Sequence, residues 1–426
     1  MRPEAVKKGR EVARIRIGSE SHASFLKRYA VLLSDPLRLR IVTELYLRPM
    51  SPTLFFERFG GGSVSRVSSH FKVLVEHGWL RLLREKRGGK RFGGVEHFYR
   101  APELAFFEGA AWTDLPYSIR AAFSSFFFEQ FSGRTLEAMS AGTFDSRLER
   151  HFSWTPVFLD EIGWERVISA MNALFKAFLE EQEDAKLRAH DSGVGLFSAT
   201  IALMGFESPG PAQLDAWAKS GRATSRSSNA CGVSSARRIA KVFRDPICLK
   251  IVAELNLRRM SATGFYREFG GASRSGIHRR FKMLVETGWL TSAGEESGGK
   301  RRGGVERYFR ATGPVVFDSH DWSCVPHSVR KTFSWTIFEQ LWEQVEVALR
   351  AGTVDVRKDR HLSWVPLLLD QKGWENSIAA LEALFAFILE EQAAAEKRVA
   401  DSGGELRRIT VALAGFESPK NPVKAP

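Results

Sequence analysis

Apolar residues recur at helical spacing through Phe25–Leu33 and again at Leu37, Ile41, Val42 and Leu45, with Ser34-Asp35-Pro36 between the two runs. That tripeptide reads as the end of one helix and the start of the next. Proline costs nothing in a first turn, because its missing N–H has no helical partner there. The second helix ends near Arg48-Pro49. Ser51 then caps a short third helix reaching Arg58, and Gly60-Gly61-Gly62 closes it. Ser63 caps a fourth, with Val67, Phe71, Leu74 and Val75 expected to face inward and Gly78 at its end. Trp79–Leu83 reads as a strand, Lys86–Arg91 as a basic turn, and Val95–Arg100 as the returning strand. Further on, Leu115–Met139 (Ile119, Ala122, Phe123, Phe126, Phe127, Phe131) and Trp164–Arg188 predict two long helices. Phe152–Leu159 and Leu196–Phe206 predict two strands beside them.

The same pattern occurs twice. Ser34-Asp35-Pro36 answers Arg244-Asp245-Pro246, and Glu76-His77-Gly78-Trp79-Leu80 answers Glu286-Thr287-Gly288-Trp289-Leu290. Gly93-Gly94-Val95-Glu96 answers Gly303-Gly304-Val305-Glu306, and Gly205–Pro209 answers Gly415–Pro419. Every pair is 210 positions apart, so the chain is a gapless duplication. In the second copy Leu362–Leu369 and Leu406–Phe416 are the matching strands. Pro209 to about Ser235 is rich in Pro, Ser, Gly and Ala. It predicts a flexible linker of ~25–30 Å as a coil and ~80 Å fully extended.

Charge sharpens the division. The chain of 426 residues carries a formal net charge of +13. Residues 1–100 hold 21 Lys/Arg against 9 Asp/Glu, and residues 211–310 hold 20 against 8. Residues 101–210 hold 8 against 16, and residues 311–426 hold 13 against 16. Alternating basic and acidic blocks point to a polyanion-binding module beside a non-binding one. The three cysteines, Cys231, Cys248 and Cys324, lack disulfide-framework or zinc-site spacing. No apolar run approaches the ~18 residues of a membrane helix, and the basic N-terminus lacks a signal-peptide core. The expectation is a cytoplasmic protein.

The cations cluster on two elements. The exposed face of the fourth helix is expected to carry Ser65, Arg66, Ser69, His70 and Lys72 in copy one, and Ser275, His278, Arg279, Arg280 and Lys282 in copy two. The hairpin tips carry Lys86, Arg87, Lys90 and Arg91, and Lys300, Arg301 and Arg302. A helix fits the DNA major groove, where base edges present a full donor and acceptor code, and a basic hairpin suits phosphates or the minor groove. The stretches Asp35–Val42 (DPLRLRIV) and Val67–Leu80 (VSSHFKVLVEHGWL), followed by a glycine-rich hairpin, resemble the ArsR-type winged helix-turn-helix regulators over Arg28–Ala101 and Arg238–Ala311. The resemblance implies DNA-binding regulation of transcription, usually by a homodimer in the cytoplasm. Metal-sensing members carry a cysteine cluster in the region matching Leu37–Arg48. That region has no cysteine here and copy two has only Cys248, so metal sensing is not expected.

The expected architecture is mainly α with small β (α+β). It comprises a winged helix-turn-helix at 24–101, an α+β effector or dimerisation-like domain at 102–209, a linker at 210–235, and second copies at 236–311 and 312–419. Together they form an intramolecular pseudo-dimer. The partner is double-stranded DNA, with no cofactor and no metal implied, and a small-molecule effector and further self-association are left open. A second reading is a winged-helix protein-interaction or architectural scaffold with non-specific DNA affinity. An enzyme is not expected. Arg150-His151-Phe152-Ser153-Trp154 followed by Asp160, repeated as Arg360–Trp364 and Asp370, suggests a Ser–His–Asp set but lacks an elbow turn or oxyanion donors. Gly298-Gly299-Lys300-Arg301 lacks the phosphate-loop frame. The tryptophans (Trp112, Trp154, Trp164, Trp322, Trp335, Trp342, Trp364, Trp374) suit core more than an effector pocket.

Overall fold

The computed structural model describes residues 22–87, 95–102, 115–209, 245–297, 305–312 and 327–419. The first head consists of α1 (His22–Leu33), α2 (Pro36–Leu47), α3 (Pro52–Phe59), α4 (Val64–Glu76) and an antiparallel hairpin of β1 (Arg81–Arg87) and β2 (Val95–Arg100). Its helix starts are those the sequence marks. Asp35 accepts the Leu37 N–H at 2.9 Å, Ser51 that of Leu54 at 3.1 Å and Ser63 that of Arg66 at 3.1 Å. The Ser51 hydroxyl also donates to Glu96 of β2, tying the hairpin to α3. Leu32, Ile41, Leu45, Phe55, Val67, Phe71, Leu74 and Trp79 close the core, each contributing ~1.5–3 kcal/mol by leaving water. Val75 differs from the expectation: it is 38% exposed. The buried stripe runs 67, 70, 71, 74, and position 75, at i+8, lies at its outer margin, where the stripe meets solvent.

A long helix, α5 (Tyr117–Ala141), leads to β3 (His151–Leu159), α6 (Glu161–Ser192) and β4 (Phe197–Glu207). Among the described residues the second copy repeats the order from the equivalent of α2 onward. Its head has α7 (Pro246–Leu257), the two-residue β5 (Met260–Ser261), α8 (Ala262–Phe269), α9 (Arg274–Glu286), β6 (Leu290–Ser297) and β7 (Val305–Ala311). Then come α10 (His327–Ala351), β8 (His361–Leu369), α11 (Gln371–Ser402) and β9 (Arg407–Glu417). The linker 210–235 lies outside the described residues.

The strands expected to make two small sheets, one in 102–209 and one in 312–419, lie instead in one. Its order is β3-β9-β4-β8, every neighbour antiparallel. The last strands of the two copies pair at its centre, with Leu203 opposite Leu413, its own equivalent 210 residues on. His151 lies opposite Gly415 and His361 opposite Gly205, again as equivalents. This register centres an approximate two-fold axis on the Leu203–Leu413 pair. The helices α6 and α11 cover one face, with Val167, Met171, Phe178, Leu381 and Ile388 over Ile201, Leu203, Val411 and Leu413. The helices α5 and α10 cover the other, with Phe128, Phe131, Leu341 and Val345 over Ala202, Met204, Ala414 and Phe416. Each long helix crosses to the other copy's edge strand: α6 packs on β8 and α11 on β3. The copies are interlocked rather than adjacent.

Polar contacts repeat across the axis. Asp160 caps α6 and accepts from Nε and Nη2 of Arg398 at 2.7 Å; Asp370 caps α11 and accepts from Nε and Nη2 of Arg188 at 2.7 and 2.8 Å. These guanidinium contacts hold both carboxyls down to about 2. Deeper, Arg360 pairs with Asp355 at 2.8 Å and both bond Ser124 of the first copy; Arg150, Asp145 and Ser334 form the mirror cluster.

Candidate nucleic-acid interface

The helices α4 and α9 each lie against the rest of their head by one stripe and leave the opposite face to solvent. On α4, Ser65, Arg66, Ser69 and Lys72 are exposed; on α9, Ser275, His278, Arg279 and Lys282 are exposed. Two expected members of these faces are turned inward. His70 is only 9% exposed. Its Nδ1 accepts from Arg38 Nε at 3.1 Å, which leaves Nε2 as the donor toward Asp35, 3.4 Å away. Burial, outweighing the Asp35 carboxylate, lowers its pKa and keeps the ring neutral at pH 7. Arg280, its equivalent, is partly buried, with Nε 2.6 Å from Asp245 and a further bond to the Gly276 carbonyl at 3.2 Å. Both sit at the i+3 position of the apolar stripe, so each is a tether between the fourth helix and the cap of the second.

That tether gives the exposed face a fixed presentation. In copy one the Asp35 carboxylate binds the α2 N-terminus through one oxygen and Arg66 and His70 through the other. In copy two Asp245 does the same with Ile247 and Arg280. Arg66 remains 57% exposed despite its contact. Lys282, 81% exposed, has only a 3.9 Å approach to Glu286. The face of copy two thus presents Arg279 and Lys282 beside His278, and that of copy one presents Arg66 and Lys72 beside Ser65 and Ser69.

The hairpins carry the second set. Lys86 and Arg87 lie on β1, opposite Glu96 and Val95. Lys90, Arg91, Lys300, Arg301 and Arg302 lie outside the described residues. Sequence reasoning missed Arg81 and Arg84, exposed on β1, with Arg84 set 4.8 Å from the Phe98 ring. In copy two Arg307 is neutralised by Glu295 at 2.9 Å. Also missed was Arg274 at the start of α9, which reaches Thr263 of α8 at 3.4 Å.

The Ser–His–Asp strings do not assemble a triad. His151 Nε2 meets Ser153 Oγ at 2.8 Å and His361 Nε2 meets Ser363 Oγ at 2.7 Å, but all four are buried beneath the long helices. The aspartates are helix caps committed to arginines, and the outer nitrogen of His361 is taken by Asn172 at 2.8 Å. Desolvation, reinforced by Arg150 and Arg360, pushes the two imidazoles down to about 4 and about 3. Trp164 and Trp374 are core, Trp335 is exposed, and Trp112 and Trp322 lie outside the described residues. Buried Cys248 is pushed up to about 12 by burial and by Asp245, an unreactive thiol. Among the described residues no three His, Cys, Asp or Glu are arranged to hold a metal, and no helix is long and apolar enough to cross a membrane.

No protein-family model, curated protein or solved structure matches the chain.

Proposed function

We propose that this chain is a sequence-specific, double-stranded-DNA-binding regulator of transcription in the cytoplasm, in which 24–101 and 236–311 are two ArsR-like winged helix-turn-helix heads and no catalysis takes place. The observation that carries the reading is the pair of capped helices, α4 and α9, whose solvent faces hold short polar and cationic side chains while their inner faces are tethered to α2 and α7. Such a face suits base edges in the major groove, and the basic hairpins suit the flanking phosphates. With Arg280 committed to Asp245, Arg279 becomes the arginine for guanine recognition in copy two. A bidentate arginine–guanine contact is worth ~1–3 kcal/mol of discrimination. The two heads differ in sequence, so the binding site is non-palindromic, with copy two dominating base choice and copy one's wing supplying salt-sensitive affinity.

Selection of DNA fragments by the purified protein, followed by affinity across a salt series, tests this. The expected result is an asymmetric enriched motif, with log K falling linearly against log salt. Arg279→Ala is expected to relax the motif at one position, and Lys90→Ala to lower affinity evenly across sequences. Equal loss of specificity from both would sink the division of labour. No enriched motif, with weak affinity lost at modest salt, would instead favour the scaffold reading.

A further inference from the structure

A cavity of about 650 Å³ lies where the first head meets the shared sheet, between α2 and α3, the C-terminal half of α5, Ser198 at the start of β4 and Pro366 of the edge strand β8. Its volume is that of a small-molecule site. Apolar Leu47, Met50, Phe59 and Leu136 line it together with Arg40, Arg48, Arg58 and Arg134. Two of these arginines are answered by carboxylates: Arg134 pairs with Glu44, and Arg40 with Glu137 at 3.1 Å. Arg48 and Arg58 are exposed on the rim and have no ion-pair partner among the described residues.

The duplication supplies an internal control. At the same junction of the second copy, Arg408 stands where Ser198 stands in the first, and its guanidinium reaches Glu254 at 2.5 Å, with both side chains buried. Position 268 is Glu where the first copy has Arg58, and it pairs with Arg258, the equivalent of Arg48. Glu343 and Arg350 replace Gly133 and Ser140, both lining residues. The second junction therefore fills and neutralises itself with its own side chains. The first copy has smaller residues at the wall and, at the rim, two arginines with no ion-pair partner among the described residues.

We propose that the first junction is a binding site for a small carboxylate carried on an apolar body, one per chain, with the carboxylate at Arg48 and Arg58 and the body over Leu47, Met50, Phe59 and Leu136. A guanidinium pairs with a carboxylate through two parallel hydrogen bonds, so two rim arginines select this anion. Because the lining comes from the first head, its own α5 and the partner copy's β8, the occupant sets how the first head is seated. The second head is held by Arg408–Glu254 whether or not ligand is present. Any effect on DNA binding rests on the functional reading above; the binding itself does not.

The test is calorimetric titration of the full chain, without DNA, with 2-naphthoate and with its neutral analogue 2-naphthamide. The expected result is one naphthoate per chain and at least ten-fold weaker binding of the amide. Arg58→Glu copies the second junction's rim, and the double variant Ser198→Arg/Arg134→Gln copies its wall. Each is expected to keep the thermal midpoint of the parent and lose naphthoate binding ten-fold or more. Two ligands per chain, equal affinity for acid and amide, undiminished binding by both variants, or no binding of naphthoate would each overturn the proposal. None of these outcomes depends on whether the heads read DNA.

Discussion

His151 and His361 sit beneath the long helices, each bonded to a serine two residues on, in surroundings that oppose the charged ring. Their folded pKa values, about 4 and about 3, lie below the ordinary 6.5 of histidine. The folded state then binds fewer protons than the unfolded chain between those limits. Stability is fully present above about pH 6.5 and falls as pH drops toward 4, by at most a few kcal/mol per ring. The thermal midpoint should fall steeply across that interval, and a His151→Gln/His361→Gln variant should flatten the profile; an unchanged slope would show the rings are not responsible. At the same depth, Asp355→Asn leaves Arg360 buried without its counter-charge, and a loss of ~3–5 kcal/mol is expected in urea unfolding. Gly415 permits the close approach of α11, since a Cβ there would stand 2.8 Å from Ile378 and 3.1 Å from Leu381. Gly415→Ala is expected to cost ~1–3 kcal/mol by overpacking, read in the same assay.

At the scale of elements, the fourth helix of each head is fixed by the carboxylate that caps the second. Asp245→Asn keeps a capping oxygen for Ile247 but removes the ion pair with Arg280. The partly exposed pair is worth less than ~1 kcal/mol, whereas Asp245→Ala also loses the cap, another ~0.5–2 kcal/mol. Chemical denaturation is therefore expected to show a smaller loss for Asp245→Asn than for Asp245→Ala, and identical losses from both variants would contradict this double role. The heads were largely legible in the sequence because caps, glycines and apolar spacing all act within a few residues. His70 was readable too: it occupies i+3 in the stripe Val67, Phe71, Leu74, but its polarity suggested an outward face. The body was legible only as elements. The unbroken burial of β4 and β9 marks central strands, and their sequences are correspondingly apolar. Which strands would pair was not legible, since β3 meets β9 across some 250 residues and no local pattern encodes that choice. The cavity escaped notice because it depends on what Ser198 fails to fill.

At the scale of the molecule, the two copies are a dimer drawn through one chain. The contacts that join them are the register at Leu203–Leu413, the crossed helices and the reciprocal arginine caps, all of which occur in equivalent pairs. A chain truncated after residue 209 carries one member of every such pair. It is expected to assemble as a homodimer with the same four-stranded sheet; sizing coupled to light scattering would show it, and a stable monomer would refute the equivalence. The asymmetries, by contrast, fall at the first junction and on the faces of α4 and α9. The symmetric part is where a single sequence must pack against its own copy.

The centred register has one further consequence. A protein built from two separate chains comes apart on dilution and can mix its halves with those of any close paralogue. Here the central strand pair belongs to one polypeptide, so the halves meet at an effective concentration that does not depend on the number of molecules present. Each half always has the same mate. A change in one copy is therefore inherited together with the partner it must fit, and no exchange of subunits can average it away.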